Sequence, residues 1–173
     1  MKNNLDLLKK YWQNGEFRPM QKEIIEYYQS GKDVVVLLPT GGGKSICYQL
    51  PAIIQEGLTL VISPLISLMQ DQVNQLNERG IKAMFFDNNT LKNPLDHQFD
   101  NAKYGNFKLV YSSPERLLNE SFLNQIKSLK IHGIAIDEAH CVSEWGHDFR
   151  PAFKAIKNLK QLLPGVPMIA LTA

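Results

Sequence analysis

The sequence predicts an α/β fold: a mostly parallel central sheet with helices on both faces, a three-layer sandwich. Three observations predict it. Short apolar runs alternate along the chain with segments of helical periodicity. Those runs are continuous rather than polar–apolar alternating, as strands covered on both faces are. The polar residues best suited to chemistry fall at or just past the C-terminal ends of the runs, where open α/β sheets hold ligands.

Leu5 to Trp12 reads as a short amphipathic helix ended by Gly15. A second helix is expected from Phe17-Arg18-Pro19-Met20-Gln21, with Pro19 in its first turn, through Ile24, Ile25 and Tyr28 toward Gly31. Val34 to Leu38 reads as a buried strand, and the segment from Ile46 continues as a helix. Thr59 to Ser63 is a second strand, stopped by Pro64. Leu65, Leu68, Met69, Val73 and Leu76 then recur at helical spacing before Gly80, a C-cap residue. Lys82 to Phe86 is a third strand, 87–93 is turn-rich, and Leu95 to Tyr104 is a helix candidate. Lys108 to Ser112 is a fourth strand, followed by helical pieces at Glu115–Leu118 and Phe122–Leu129. Gly133 to Asp137 is a fifth strand. Phe153, Ile156, Leu159, Leu162 and Leu163 mark a helix, and Met168 to Leu171 is a sixth strand.

At 173 residues the chain suits one domain with a sizeable core, and its 44% hydrophobic and 21% charged content are ordinary for a soluble globular protein. The net charge of +2 neither demands nor excludes nucleic acid; any basic surface is local. No apolar run approaches a membrane span, so no membrane is expected as a partner, and Met1 to Asp6 lacks a signal-peptide core. Cys47 and Cys141 have no metal-ligand spacing and read as reduced thiols of a cytoplasmic protein.

The first chemical stretch is Pro39-Thr40-Gly41-Gly42-Gly43-Lys44-Ser45. Strand, glycine-rich turn, Lys-Ser and helix form a phosphate cradle. The glycines let backbone N–H groups turn inward, and the helix N-terminus adds partial positive charge. Lys44 can reach outer phosphates, and the Ser45 hydroxyl can ligate Mg²⁺. Leu38 stands where the strict G-x-x-x-x-G-K-S pattern has its first Gly. The bland alternative is an ordinary Gly-rich turn.

The second stretch is Asp137-Glu138-Ala139-His140, at the end of the fifth strand. Asp137 there can hold the Mg²⁺ of a nucleotide bound at Lys44 and Ser45, and Glu138 can activate a water. Alone, a two-acid strand end is more often a solvated terminus; an upstream phosphate loop reverses that balance. His140 reads either as a polar cap of the next turn or as a sensor joining this strand end to Thr172. The segment Cys141 to Pro151 gathers Trp145, His147, Phe149 and Arg150. Aromatics with a cation can stack on bases and neutralise phosphates. The competing reading packs Trp145 and Phe149 into the core and pairs Asp148 with Arg150.

With these motifs in hand, the chain resembles the first RecA-like motor domain of RecQ-family DNA helicases, in helicase superfamily two. Phe17-Arg18-Pro19-Met20-Gln21 resembles that family's adenine-recognition motif, within N-terminal helices at 1–30. Leu38 to Ser45 matches its form of the Walker A loop, which accommodates Leu38. Ser63-Pro64-Leu65-Ile66-Ser67-Leu68-Met69-Gln70-Asp71-Gln72-Val73 is similar to motif Ia, and Ser113-Pro114-Glu115-Arg116-Leu117 to motif Ib. Asp137 to His140 is similar to the Walker B box. The Trp145 segment resembles the loop that links DNA binding to hydrolysis, and Ala170 to Ala173 the start of motif III. The resemblance implies a RecA-like P-loop NTPase that uses ATP and Mg²⁺ on single-stranded and duplex DNA, with 3′-to-5′ movement. It implies adenine contacts from Arg18 and Gln21. Thr40, Gly41, Gly42, Gly43, Lys44 and Ser45 would hold the phosphates. Lys44, Asp137, Glu138 and His140 would serve in catalysis, with Ser45 and Asp137 on the metal. Ser63, Pro64, Ser113, Pro114, Glu115 and Arg116 would lie along DNA, with the Trp145 segment beside them.

Two positions depart from the family pattern. Asn14 stands where an adenine-stacking Tyr is common, and Glu144 where many members have Gln. The chain stops within motif III, so 1–173 is expected to be a fragment lacking the second RecA-like domain and its arginine finger, and inactive as a helicase alone. An RNA helicase motor, a non-catalytic nucleic-acid-binding module and a P-loop kinase are the rival readings. The DEAH box and aromatic segment disfavour the kinase.

Overall fold

A computed structural model describes residues 3–88, 94–141 and 150–173, with the backbone alone at 150, 152 and 153. Helix α1 spans Asn4–Trp12 and α2 spans Gln21–Gln29. Asn3 caps α1 by accepting from the Leu5 N–H, Asp6 and Lys9–Lys10 complement the helix dipole, and Leu7 and Leu8 point inward. Pro19 does not enter α2. Met20 takes a left-handed conformation (φ 69°) and turns the chain, so the helix starts at Gln21.

Among the described residues six strands follow: β1 (Val34–Leu37), β2 (Leu58–Ile62), β3 (Ala83–Phe85), β4 (Leu109–Ser112), β5 (Ile131–Ile136) and β6 (Met168–Thr172). They form one sheet in the order β1-β6-β5-β2-β4-β3, with every pairing parallel. Between them lie α3 (Ile46–Ile54), α4 (Ile66–Glu78), α5 (Leu95–Tyr104), a 3₁₀ turn (Pro114–Leu118), α6 (Glu120–Ile126) and α7 (Arg150–Leu162). Each strand sits within a residue or two of its expected place. The helical piece expected at 122–129 instead starts at Glu120, where Asn119 caps the Phe122 N–H, and ends at Ile126.

Two apolar cores cover the sheet. On one face, side chains of α1 to α4 such as Leu8, Ile25, Leu50 and Met69 pack on Val36, Val61, Tyr111, Ala135 and Ile169. On the other, Phe99, Phe122, Ile126 and Leu159 pack on Leu60, Ile62, Val110, Ile134 and Ile136. Successive strand residues face opposite cores, so the continuous apolar runs are accounted for. Strand β1 is the exception. Among the described residues it pairs with β6 alone, and while Val36 is buried, Val35 and Leu37 are 79% and 74% exposed. The expected fully buried strand is therefore a sheet edge with one open face. Gly133 allows α2 close approach: the Tyr28 hydroxyl donates to the Ile134 carbonyl at 3.3 Å, in space a Cβ on Gly133 would occupy.

Among the described residues no helix is long and apolar enough to cross a membrane.

Candidate nucleotide site and adjoining cleft

The glycine-rich loop leaves β1 at its C-terminal end and runs into α3. Gly41 and Gly43 take φ of 77° and 74°, and the Gly42 N–H closes a tight turn on the Pro39 carbonyl at 2.8 Å. Beyond Lys44, the Tyr48 and Gln49 N–H groups both bond the Ser45 carbonyl, so α3 begins at the Lys-Ser pair. Lys44 and Ser45 thus stand at the positive end of a helix, the arrangement that favours a phosphate.

Arg18 and Gln21 lie against this loop. The Arg18 guanidinium donates to the Gly41 carbonyl. Gln21 is 1% exposed and its amide is fully employed: Oε1 accepts from the Arg18 N–H at 2.8 Å, and Nε2 donates to the Gly43 carbonyl at 3.0 Å and the Gly42 carbonyl at 3.4 Å. The family resemblance implies an adenine contact for Gln21; it gives no sign that Gln21 braces the phosphate loop. Thr40 and Gly41 are exposed at the loop tip.

Asp137 follows β5 and is buried beside the loop. Burial is the largest influence on its carboxyl and raises its pKa above the ordinary carboxylate value. The Glu138 N–H, at 3.0 Å from Oδ1, opposes that shift, as do Lys44 and the Tyr48 hydroxyl, while the Glu138 charge adds to it. Lys44 and Asp137 therefore feel each other across the site although far apart in sequence. Glu138 adopts a left-handed φ of 51°, which turns the chain directly after the strand. His140 Nδ1 lies 3.0 Å from Thr172 Oγ1 and 3.3 Å from Glu138 Oε2. The contact with Thr172 that one of the two readings of His140 expects is present.

Ser45 and Asp137 offer a hydroxyl and a carboxylate, an oxygen-only set suited to a hard cation that takes its remaining ligands from phosphate and water. Among the described residues no group of three or more His, Cys, Asp or Glu forms a self-sufficient metal cage. A buried carboxylate whose ionisation is disfavoured is one that an adjacent divalent cation would relieve.

Four of the remaining candidates meet at a cleft of about 600 Å³ at the ends of β2 and β4. Pro64, Ser113, Glu115 and Arg116 line it, together with Asn88 and Asn119. Ser63 and Pro114 are buried, and among the described residues the Ser63 hydroxyl has no hydrogen-bond partner. The Arg116 guanidinium donates to the Asp87 carbonyl and, at 2.9 Å, to Asn88 Oδ1, and sits 5.7 Å from the Phe122 ring centre. It ties the segment after β3 to the 3₁₀ turn. Trp145, His147 and Phe149 lie outside the described residues, as does the side chain of Arg150.

Sequence reasoning also passed over Tyr48, Gln49 and Tyr111, taken as helix and strand filling. All three are buried, and their polar atoms form a connected chain between α3 and β4.

Comparison with known proteins gives a consistent picture. Residues 18–173 match the family model of the DEAD/DEAH box helicases. The chain is 46% identical over 169 residues to the ATP-dependent DNA helicase RecQ of Pasteurella multocida, covering 98% of this chain and 27% of that protein. It is 49% identical over 166 residues to the ATP-dependent helicase SGS1 of Saccharomyces cerevisiae, covering 91% of this chain and 12% of that one. The chain thus spans about a quarter or less of these relatives' length. A hypothetical ATP-dependent RNA helicase from Sulfolobus tokodaii, of known crystal structure, superposes over the whole chain and 51% of its own, with a TM-score of 0.74 at 21% identity. At that identity the likeness concerns the fold.

Proposed function

Because the chain belongs to the DEAD/DEAH box helicase family and is related along nearly its whole length to RecQ DNA helicases, we propose that residues 1–173 are the nucleotide-binding half of an ATP-dependent DNA helicase motor. The observation that carries the reading is the meeting of Lys44 and Ser45, at the head of α3, with the buried Asp137 at the end of β5.

In this reading the loop N–H groups and Lys44 receive the phosphates, and Arg18 and Gln21 face the adenine while bracing the loop. Ser45 and Asp137 hold Mg²⁺, which supplies charge neutralisation at the phosphates when bound. Glu138 orients the attacking water and accepts its proton. His140 joins Glu138 to Thr172, so the base and the end of β6 are set together. The cleft beside Pro64, Ser113 and Arg116 takes the backbone of a DNA strand, and the Trp145 segment stacks on its bases. Movement in the intact protein runs 3′ to 5′; this rests on the resemblance alone. The protein in this reading works in a reducing cytoplasm, where the buried Cys47 thiol, pushed up to about 12, stays an inert core group.

The 173-residue chain alone, in the same reading, binds ATP–Mg²⁺ weakly and does not unwind DNA. A counter-charge from a facing domain is typically worth about 10³–10⁵ in rate for P-loop enzymes, and unwinding needs two domains that move against each other. The decisive test is Lys44→Ala in the intact protein. Loss of a preorganised cation should lower ATP turnover on the order of 10²–10³-fold with the melting temperature unchanged. Near-normal turnover would sink the assignment.

A further inference from the structure

Among the described residues that line the cleft at the ends of β2 and β4, the charged ones are Glu115 and Arg116, and their charges cancel. A polyanion laid there is therefore met mostly by neutral groups. The Arg116 guanidinium is also committed to the protein around it. Its Nη2 donates to the Asp87 carbonyl and, at 2.9 Å, to Asn88 Oδ1. Its Nε is buried, with no hydrogen-bond partner among the described residues, and the group lies 5.7 Å from the Phe122 ring centre.

Asn88 and Asn119 line the same cleft, and both are exposed. Each has its side-chain amide oriented by a group that can only donate. Asn88 Oδ1 accepts from the Arg116 guanidinium at 2.9 Å, and Asn119 Oδ1 accepts from the Phe122 N–H at 3.0 Å. A guanidinium and a backbone N–H have no lone pair to offer, so in both cases the amide oxygen, not the nitrogen, must face the protein. Each Nδ2 then takes the other branch, and among the described residues neither has a hydrogen-bond partner. The two amides thus present N–H donors and withhold their acceptors. That set suits a ligand made of acceptors, as phosphodiester oxygens are. It does not suit the edge of a base, which an asparagine reads by turning both its oxygen and its nitrogen to the same base.

We propose that Asn88 and Asn119 are phosphate-binding residues of this cleft, each presenting its amide hydrogens to the backbone of a single DNA strand, and that Arg116 is a positioning residue that holds Asn88 in this orientation. The inference rests on the reading of the cleft as a nucleic-acid site. It adds two residues to that site and changes what Arg116 does there. An amide is neutral and displaces no counterion from a phosphate, so its contribution persists at salt concentrations that weaken lysine and arginine contacts. A hydrogen bond to a charged acceptor typically contributes about 10-fold or more in affinity.

The test titrates the intact protein and its variants with fluorescein-labelled dT and dA oligonucleotides over a range of salt concentrations. Asn88→Ala and Asn119→Ser should each weaken binding about 10-fold, equally on the two oligonucleotides, with the slope of log affinity against log salt unchanged. Serine at 119 still caps the Phe122 N–H, so the melting temperature of that variant should not move. Arg116→Gln should weaken binding by a similar factor at an unchanged slope, and should add little in the Asn88→Ala background, as coupled sites do. Unmodified affinity in either asparagine variant overturns the proposal, and so does a loss confined to one oligonucleotide, which would mark a base contact. A slope shallower by about 0.7 in Arg116→Gln, the amount one phosphate contact contributes on a single strand, would make Arg116 a direct contact and overturn its positioning role. Glu115→Lys checks the underlying reading, because an added cation in a DNA-bearing cleft should tighten binding and steepen the slope. If it changes neither, the strand does not run through the cleft, and that reading fails together with this inference.

Discussion

Gly41 and Gly43 have nearly the same backbone and very different surroundings, so one substitution in each tests how the loop is held. Both take left-handed φ, 77° and 74°. Alanine at either position costs about 1–2 kcal/mol for that conformation. At Gly41 the cost ends there, because nothing lies within 4 Å of an added Cβ. At Gly43 the new methyl would overlap the Gln21 side-chain amide. Gln21 can move aside only by giving up its bonds to the Gly42 and Gly43 carbonyls, 3.4 and 3.0 Å long, in a site where it is 1% exposed. A buried amide left unpaired costs about 1–3 kcal/mol. Gly43→Ala should therefore destabilise by roughly 2–5 kcal/mol against ~1–2 for Gly41→Ala. Urea unfolding of both variants, repeated in a Gln21→Ala background, separates the two contributions. In that background the Gly43 penalty should fall to the Gly41 level, and ATP affinity should track it. Equal penalties at the two glycines, or a Gly43 penalty indifferent to Gln21, would refute the bracing role.

Two further outcomes follow from other parts of the molecule. Burial, with Lys108 adding to it, pushes His132 down to about 4, so the fold favours its neutral form. The unfolded chain then binds the extra proton between about pH 6.5 and 4, and stability should fall as pH drops through that window, by about 2–3 kcal/mol in all; His132→Gln should flatten this acid limb in pH-dependent melting, and an unchanged limb would count against it. Trp145→Ala in the intact protein should weaken single-stranded DNA binding by roughly 1–3 kcal/mol and lower DNA-stimulated ATPase far more than DNA-free ATPase, whereas equal loss of both with a lower melting temperature would make Trp145 a core residue.

The strands were legible because a buried parallel strand needs apolar side chains on both faces, and β2, β4 and β5 carry them. The edge position of β1 was not legible. Val34 to Leu37 is as apolar as β2, and only the pairing with β6 alone leaves Val35 and Leu37 in the open. The phosphate loop could be read because its chemistry is local: glycines, a lysine and a serine in one turn. What holds it could not. The Gln21 bonds to loop carbonyls and the Tyr48–Tyr111 contact join residues 21 to 63 positions apart, which no periodicity records. Met20 shows a smaller version of the same limit, since a left-handed turn there displaced the helix start that Pro19 suggested.

Strand order is the last piece the sequence withheld, and it explains why the site exists at all. From β1 the chain passes over two strand positions to reach β2, and β5 and β6 fill the gap only much later. The loop after β1 and the acids after β5 thereby come to flank β6, at the carboxyl end of the sheet where open α/β folds bind ligands. The last residues of β6 hold both neighbours. The Leu38 N–H bonds the Thr172 carbonyl at 3.1 Å, just before the loop, and the Ala139 N–H bonds the Leu171 carbonyl at 2.8 Å, within the acidic turn. His140 adds a side-chain bond to Thr172. A shift at the end of β6 must therefore move the phosphate loop and the Asp137–Glu138 turn together. In a motor that alternates between bound states, that is the place from which both halves of the nucleotide site can be set at once.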